Sequence, residues 1–279
     1  MCMKKYSALI FDLDGTVIPL SDDGSAITDG TRIAIAEAAN QGVIVACATG
    51  REWEIAKPVV NALGLKSFCI IEGGTRIINP VTEKTVWQKQ MPHNAASTVH
   101  EIFSRNYQDG LLIHSGDVRR IKISEAPVAA DQLRFMYLLN VPAGIAEVIV
   151  NEINSHELCV VAHMTPSWVD QLYYDIHVTH NRATKEHAIS EWLKLQKLNR
   201  AETIGMGDSG NDVPLFDGVG FKVAVGNATA QIKALADYIA PTVTERAIED
   251  VLSKFFMGQH CECIGRAMPD SQWQFELGY

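Results

Sequence analysis

The sequence predicts an α/β protein: a Rossmann-like, doubly wound parallel sheet interrupted by an inserted α+β domain. Three observations carry this expectation. Short, continuously apolar runs alternate with helical patterns at the start of the chain. The same alternation returns after residue 184. The stretch between them mixes alternating strands with amphipathic helices. Continuous apolar strands separated by helices belong to parallel sheets covered on both faces, whereas mixed strands and helices mark a separate layer.

Taken in order, residues 7–11 read as the first strand. Thr28 or Asp29 can cap a helix to about residue 41, with Ile33, Ile35, Ala36 and Ala39 as its apolar positions. A second strand is expected at 43–48, a helix at 52–63 ended by Gly64, and a third strand at 68–72. The insert offers strands in RRIKIS, ELCVVA and QLYYDIHV and helices near 94–107 and 144–154. The core pattern resumes with a helix from about Lys185, the strands ETIGMG and FKVAVG, a helix from Asn227, a short strand near Tyr238 and a last helix to Phe256. The expected division is core 1–80, insert 81–178, core 179–257 and an aperiodic tail, 258–279.

At 279 residues, 47% hydrophobic and 20% charged, the chain has the composition of a soluble globular protein. A net charge of −9 argues against nucleic acid or an anionic membrane surface as the partner. The apolar run after Lys4 and Lys5 stops at Asp12, too soon for a signal peptide. Of six cysteines, Cys47, Cys69 and Cys159 lie in strand-like runs and read as buried thiols, so a cytoplasmic location is expected.

The stretch ALIFDLDGT poses the functional question. A buried strand ends in Asp12 and Asp14, spaced to point the same way, and like charges this close need a cation or proton between them. The other polar candidates also follow strands: Thr49-Gly50-Arg51 after the second, and Asp208, Asn211 and Asp212 in GDSGND after a later one, with Lys185 opening a helix. Ligands of open parallel sheets bind at that edge. Converging carboxylates make an oxygen-rich site for a hard cation such as Mg²⁺. A hydroxyl and an ammonium beside them suit an anionic substrate, and one carboxylate can attack while the second moves a proton.

DLDGT, ATGR, a Lys opening a helix and GDSGND, in this order, resemble the four motifs of the haloacid dehalogenase-like hydrolases. The resemblance covers the chain to about Met257. It implies Asp12 as nucleophile, Asp14 as general acid/base, and Thr49, Gly50 and Lys185 as phosphate-binding groups. It also implies a Mg²⁺ site from Asp12, the Asp14 backbone carbonyl and Asp208, supported by Asp212, with Asn211 orienting Lys185 or the phosphate. Asp12 and Thr49 are 37 positions apart and Thr49 and Lys185 are 136, which leaves room for a cap only in the second interval. This is the arrangement of the Cof-like sugar phosphatase group with a C2 cap. Glu72-Gly73-Gly74 stands where that group usually carries Asn-Gly-Ala.

The reading is a Mg²⁺-dependent phosphatase acting on a small phosphorylated metabolite through an aspartyl phosphate. A phosphomutase and a non-catalytic phosphosugar sensor are the alternatives. Arg51, and Arg119 or Arg120 in the insert, are candidates to reach the substrate. Gly205-Met-Gly207-Asp-Ser-Gly210 spells a dinucleotide fingerprint, but Asp208 would press a carboxylate against the pyrophosphate. His177, His180, Glu186 and His187 straddle a strand-to-helix return and read as ordinary hinge residues.

Overall fold

The computed structural model describes residues 6–20, 22–115, 117–125, 133–167 and 172–257, and only the backbone at 117–119. The tail 258–279, with Cys261 and Cys263, and the N-terminal Cys2 lie outside the described residues.

The first core segment runs β1 (Ala8–Phe11), α1 (Asp29–Asn40), β2 (Ile44–Cys47), α2 (Trp53–Ala62), β3 (Cys69–Ile71), β4 (Arg76–Asn79) and β5 (Lys84–Gln88). The Thr28 hydroxyl caps α1 by accepting from the Thr31 amide at 3.1 Å. The insert follows with α3 (His93–Asn106), β6 (Leu111–His114), β7 (Asp117–Lys122), β8 (Phe135–Pro142), α4 (Ala143–Ser155), β9 (Val160–Pro166) and β10 (Tyr173–His180). The chain then returns through α5 (Lys185–Gln196), β11 (Thr203–Gly207), α6 (Val213–Gly218), β12 (Phe221–Ala224), α7 (Ala230–Leu235), β13 (Tyr238–Ile239) and α8 (Ala247–Leu252).

The core sheet is parallel throughout, in the order β13-β12-β11-β1-β2. β1 is buried along its whole length, as a central strand covered on both faces must be. It pairs with β2 on one side and β11 on the other, so the strand order switches direction at β1, where a crevice opens beyond the carboxyl ends.

Residues 68–72 follow the β2 edge of this sheet, as expected, but only loosely. β3 lies parallel to it at the Ala48–Ile70 bridge, where the Thr49 amide donates to the Ile70 carbonyl, and its full pairing is antiparallel with β4, which pairs with β5. The turn at Gly73 and Gly74, both at positive φ, reverses the chain here. The expected insert boundary at 81 also falls inside this hairpin, since Trp87 of β5 packs on the core cluster. The insert's own hydrophobic cluster runs from Met91 to Val178.

The insert is a fully antiparallel sheet, β7-β6-β8-β10-β9, with α3 and α4 packed on one face. Met136, Leu138, Ile176 and Val178 point to those helices. The alternate residues Phe135, Tyr137, His177 and His163 therefore stand on the other face, where Tyr137 stacks on Phe135 and lies tilted against His177, and His163 stacks on His177. The central strand β8, which carries two of these rings, is absent from the sequence expectation. No helix among the described residues is long and apolar enough to cross a membrane.

Candidate active site

Asp12 is the first residue beyond β1, and its amide donates to the Met206 carbonyl at 3.0 Å, prolonging the pairing with β11. The chain then folds tightly: the amides of Thr16, Val17 and Ile18 all donate to the Leu13 carbonyl. Gly15 sits at φ +73, and a Cβ there would stand 2.5 Å from Asp208 Oδ2. The glycine of DLDGT thus serves both the turn and the approach of the second acidic motif. Two contacts hold the loop in place: Asn227 Nδ2 donates to the Gly15 carbonyl at 2.7 Å, and Thr16 Oγ1 donates to Asp208 Oδ1 at 3.3 Å.

Lys185 occupies the first turn of α5, capped by Thr184. Its Nζ donates to Asp12 Oδ1 at 2.9 Å and to Asp212 Oδ1 at 2.6 Å, and Lys185, Asp12 and Asp212 are all buried. The other Asp212 oxygen accepts from the amides of Asp208, at 3.0 Å, and Ser209, at 3.3 Å. Burial works to lower the Lys185 pKa, but Asp12 and Asp212 outweigh it and hold the ammonium above its ordinary value. Burial raises the Asp12 carboxyl despite the pull of Lys185. Burial, and then the charge of Asp212, push Asp208 up to about 6.

Carboxylate oxygens of Asp12, Asp208 and Asp212 lie within 4.8 Å of one another. Two of these groups, Asp12 and Asp208, resist ionisation without a further cation, and the donor set is all oxygen. That is the chemistry a hard divalent metal satisfies, so the residues fit one.

Thr49 is fully buried beside this cluster, its hydroxyl accepting from the Arg51 amide at 3.1 Å, and Gly50 is exposed next to it. Arg51, expected to reach a substrate, instead grips Asp14: Nε donates to Oδ2 at 2.8 Å and Nη2 to Oδ1 at 2.6 Å. Nη2 also donates to the Asp22 carbonyl at 2.7 Å. Asn211, expected to orient Lys185 or the phosphate, is exposed and accepts from the Ser209 hydroxyl at 2.9 Å, and it is Asp212 that contacts Lys185. Arg120 is exposed on β7, an edge strand of the insert sheet, and the Arg119 side chain is not among those described.

The arginine that the insert does bring to this region is Arg134, just before β8. It donates from Nε to Glu72 Oε2 at 2.6 Å and from Nη2 to Oε1 at 3.0 Å. Glu72 is buried, at φ +54, with its amide on the Arg51 carbonyl at 2.9 Å. Next to it, the Gly73 amide donates to the Thr49 carbonyl at 3.0 Å. Sequence reasoning gives no role to Asn227, Thr16 and Arg134, and marks Glu72 only as part of a departure from the family's usual turn. Asn227 had one available signal, since it follows β12 at the same carboxyl edge as the other candidates. Arg134 had none, because its strand pairs only in three dimensions.

The sequence profile of the haloacid dehalogenase-like hydrolases matches residues 9–252. The 5-amino-6-(5-phospho-D-ribitylamino)uracil phosphatase YcsE of Bacillus subtilis is 26% identical over 261 residues, 88% of this chain and 92% of that protein. Phosphoglycolate phosphatase 1 of Saccharolobus solfataricus is 31% identical over 119 residues, 43% of this chain and only 48% of its own length. Among solved structures, a haloacid dehalogenase-like hydrolase from Bacteroides thetaiotaomicron superposes with a TM-score of 0.73 at 20% identity, covering 90% of this chain and all of that one. TM0651 from Thermotoga maritima gives 0.71 at 18% identity, over 89% of this chain and 97% of that one. These two support the fold: a Rossmann-like core with an inserted second layer. Motifs, architecture and profile agree, and the chain belongs to the haloacid dehalogenase-like hydrolases of the Cof type, a family in which its named relatives are phosphoric monoester hydrolases.

Proposed function

We propose that the protein is a Mg²⁺-dependent phosphatase that hydrolyses a small phosphate monoester, such as a sugar phosphate, through an aspartyl phosphate on Asp12. The observation that carries this reading is the Lys185 ammonium shared between Asp12 and Asp212 at the strand-order switch, with Asp208 alongside. Bound by Asp12, Asp208 and the Asp14 carbonyl, Mg²⁺ would supply positive charge against the phosphoryl oxygens. An Asp12 oxygen attacks phosphorus as the ester P–O bond breaks, and Asp14 gives its proton to the departing alcohol. Asp14 then takes a proton from the water that attacks the phosphorus, and the Asp12–phosphate bond breaks to release inorganic phosphate. Lys185 keeps Asp12 aimed and neutralises equatorial charge, and Thr49 and Gly50 receive the remaining oxygens.

The test is phosphate release from a panel of phosphate monoesters, with Mg²⁺ or chelator, for the wild type and Asp12→Asn. Mg²⁺-dependent release that disappears in a folded Asp12→Asn protein is the expected result. An active Asp12→Asn protein overturns the mechanism.

A further inference from the structure

Glu72 occupies an unusual place. It has a left-handed backbone, which asparagine tolerates better than glutamate, and its carboxylate is buried against the insert. Besides the two-pronged contact from Arg134, Thr75 Oγ1 donates to it at 2.9 Å and Arg76 Nη1 lies 3.5 Å away. Backbone bonds to Arg51 and Thr49 tie this turn to the residues around Asp14. The Glu72–Arg134 pair therefore joins the turn beside Thr49 and Arg51 to the insert.

An arginine from the second layer, left free here, would fork a carboxylate or a second phosphate on that alcohol. In this chain one fork of Arg134 is closed by an internal carboxylate, and Arg51 is engaged by Asp14. Arg76, the other cation against Glu72, is engaged as well: its Nε donates to Thr85 Oγ1 at 2.8 Å and its Nη1 faces Glu72. Burial holds Tyr137 in its phenol form, helped by Glu72 and Glu52. Burial keeps His177 neutral, with a pKa pulled down to about 3, and lowers His163 too. Glu52, raised to about 7 by burial and then by Glu72, adds a carboxyl to the same region.

We propose that the Glu72–Arg134 pair is a specificity device that selects phosphate esters of uncharged, hydroxylated alcohols and rejects those bearing a carboxylate or second phosphate. The mechanism is removal of an attraction: Glu72 engages Arg134, and Thr85 and Glu72 engage Arg76, which leaves neither guanidinium fork open to a second anion. A sugar or polyol phosphate needs no such partner and can bond to neutral hydroxyl, imidazole and carboxyl groups.

This rests on the phosphatase reading, and the experiment separates the two. kcat/KM is measured with Mg²⁺ for 4-nitrophenyl phosphate, ribose 5-phosphate, phosphoglycolate and fructose 1,6-bisphosphate. The wild type is compared with Glu72→Gln, Arg134→Gln and Glu72→Asn, the last matching the left-handed backbone in case the glutamine variant folds poorly. The wild type should favour ribose 5-phosphate over phosphoglycolate at least tenfold. Glu72→Gln or Glu72→Asn should shrink that ratio about tenfold by freeing Arg134, and Arg134→Gln should widen it. A wild-type ratio near one, or a ratio unmoved in folded variants, overturns the specificity proposal while 4-nitrophenyl phosphate turnover leaves the phosphatase reading standing. No release from any ester by folded protein overturns both.

Discussion

The Lys185 ammonium lies 2.9 Å from Asp12 Oδ1, joining residues 173 positions apart, and neither side chain is more than 4% exposed. A buried cation this close aims the carboxylate and offsets part of the charge that Asp12 shares with Asp212 and Asp208.

Replacing Lys185 by Met should therefore act on both stability and rate. It leaves two buried carboxylates without their cation, a change that typically destabilises by about 3–5 kcal/mol. Phosphatase turnover should fall by about 10³-fold or more, a size expected for loss of preorganised charge at the reacting group. Chemical denaturation and single-turnover kinetics on folded protein check the two effects. A variant with wild-type kcat would place the nucleophile elsewhere.

Arg51 holds Asp14 by both carboxylate oxygens, which makes it a positioning residue for the proposed acid and base. Arg51→Gln should lower kcat more than it raises KM, by about 10–100-fold, the scale of a misplaced proton-transfer group. The loss should shrink with a leaving group that needs no proton, such as 4-nitrophenolate. An equal loss on both ester types would mean that Arg51 binds substrate.

Asp208 supplies a pH prediction. Its folded pKa, about 6, lies above the ordinary 3.8, so the folded protein without metal binds a proton more tightly than the unfolded chain. That contribution to stability is complete below about pH 4 and is lost as pH rises through 6. A metal needs the ionised carboxylate, so its stabilisation should run the other way. Saturating Mg²⁺, at about 100 times its Kd, should add about 2.7 kcal/mol at pH 7.5. The resulting shift in Tm should be markedly smaller at pH 5 and should vanish in Asp208→Asn. Thermal melts with Mg²⁺ and with chelator at both pH values measure it, and a shift retained by Asp208→Asn would remove Asp208 from the ligand set.

Gly74 packs against the backbone of Thr184 and Lys185 at φ +108. A Cβ would overlap the Thr184 carbonyl group, which cannot move without displacing the first turn of α5. Gly74→Ala should destabilise the protein by about 2 kcal/mol or more, through backbone strain and overlap together. It should also lower kcat by moving Lys185. A Tm within a degree of wild type would show that the turn accommodates the methyl group.

Much of the site is legible in the sequence because its parts are local. ALIFDLDGT carries its strand, carboxylates and turn glycine within nine residues, and GDSGND couples Asp208 to Asp212 within one turn, where the structure finds a backbone-to-carboxylate bond. Periodicity placed α1, α2, α5 and the core strands, and it marked the insert as different in kind. It failed where pairing is non-local. β3 reads like any buried parallel strand, yet the hairpin that follows takes it into a separate antiparallel sheet. β8 escapes notice because its role depends on neighbours, β6 and β10, that are distant in sequence.

The sequence by itself determined the fold class and the family and supplied the residues proposed for phosphoryl transfer, since each follows from short patterns whose chemistry needs no distant partner. Only the tertiary structure decided which charges meet. It assigned Arg51 to Asp14, Lys185 to Asp12 and Asp212, and Arg134 to Glu72, and it left Asn211 and Arg120 exposed. The physical reason is that strand and helix patterns record which face a side chain occupies. Pairing of charges depends on distances of a few ångströms between segments that only the folded sheets bring together.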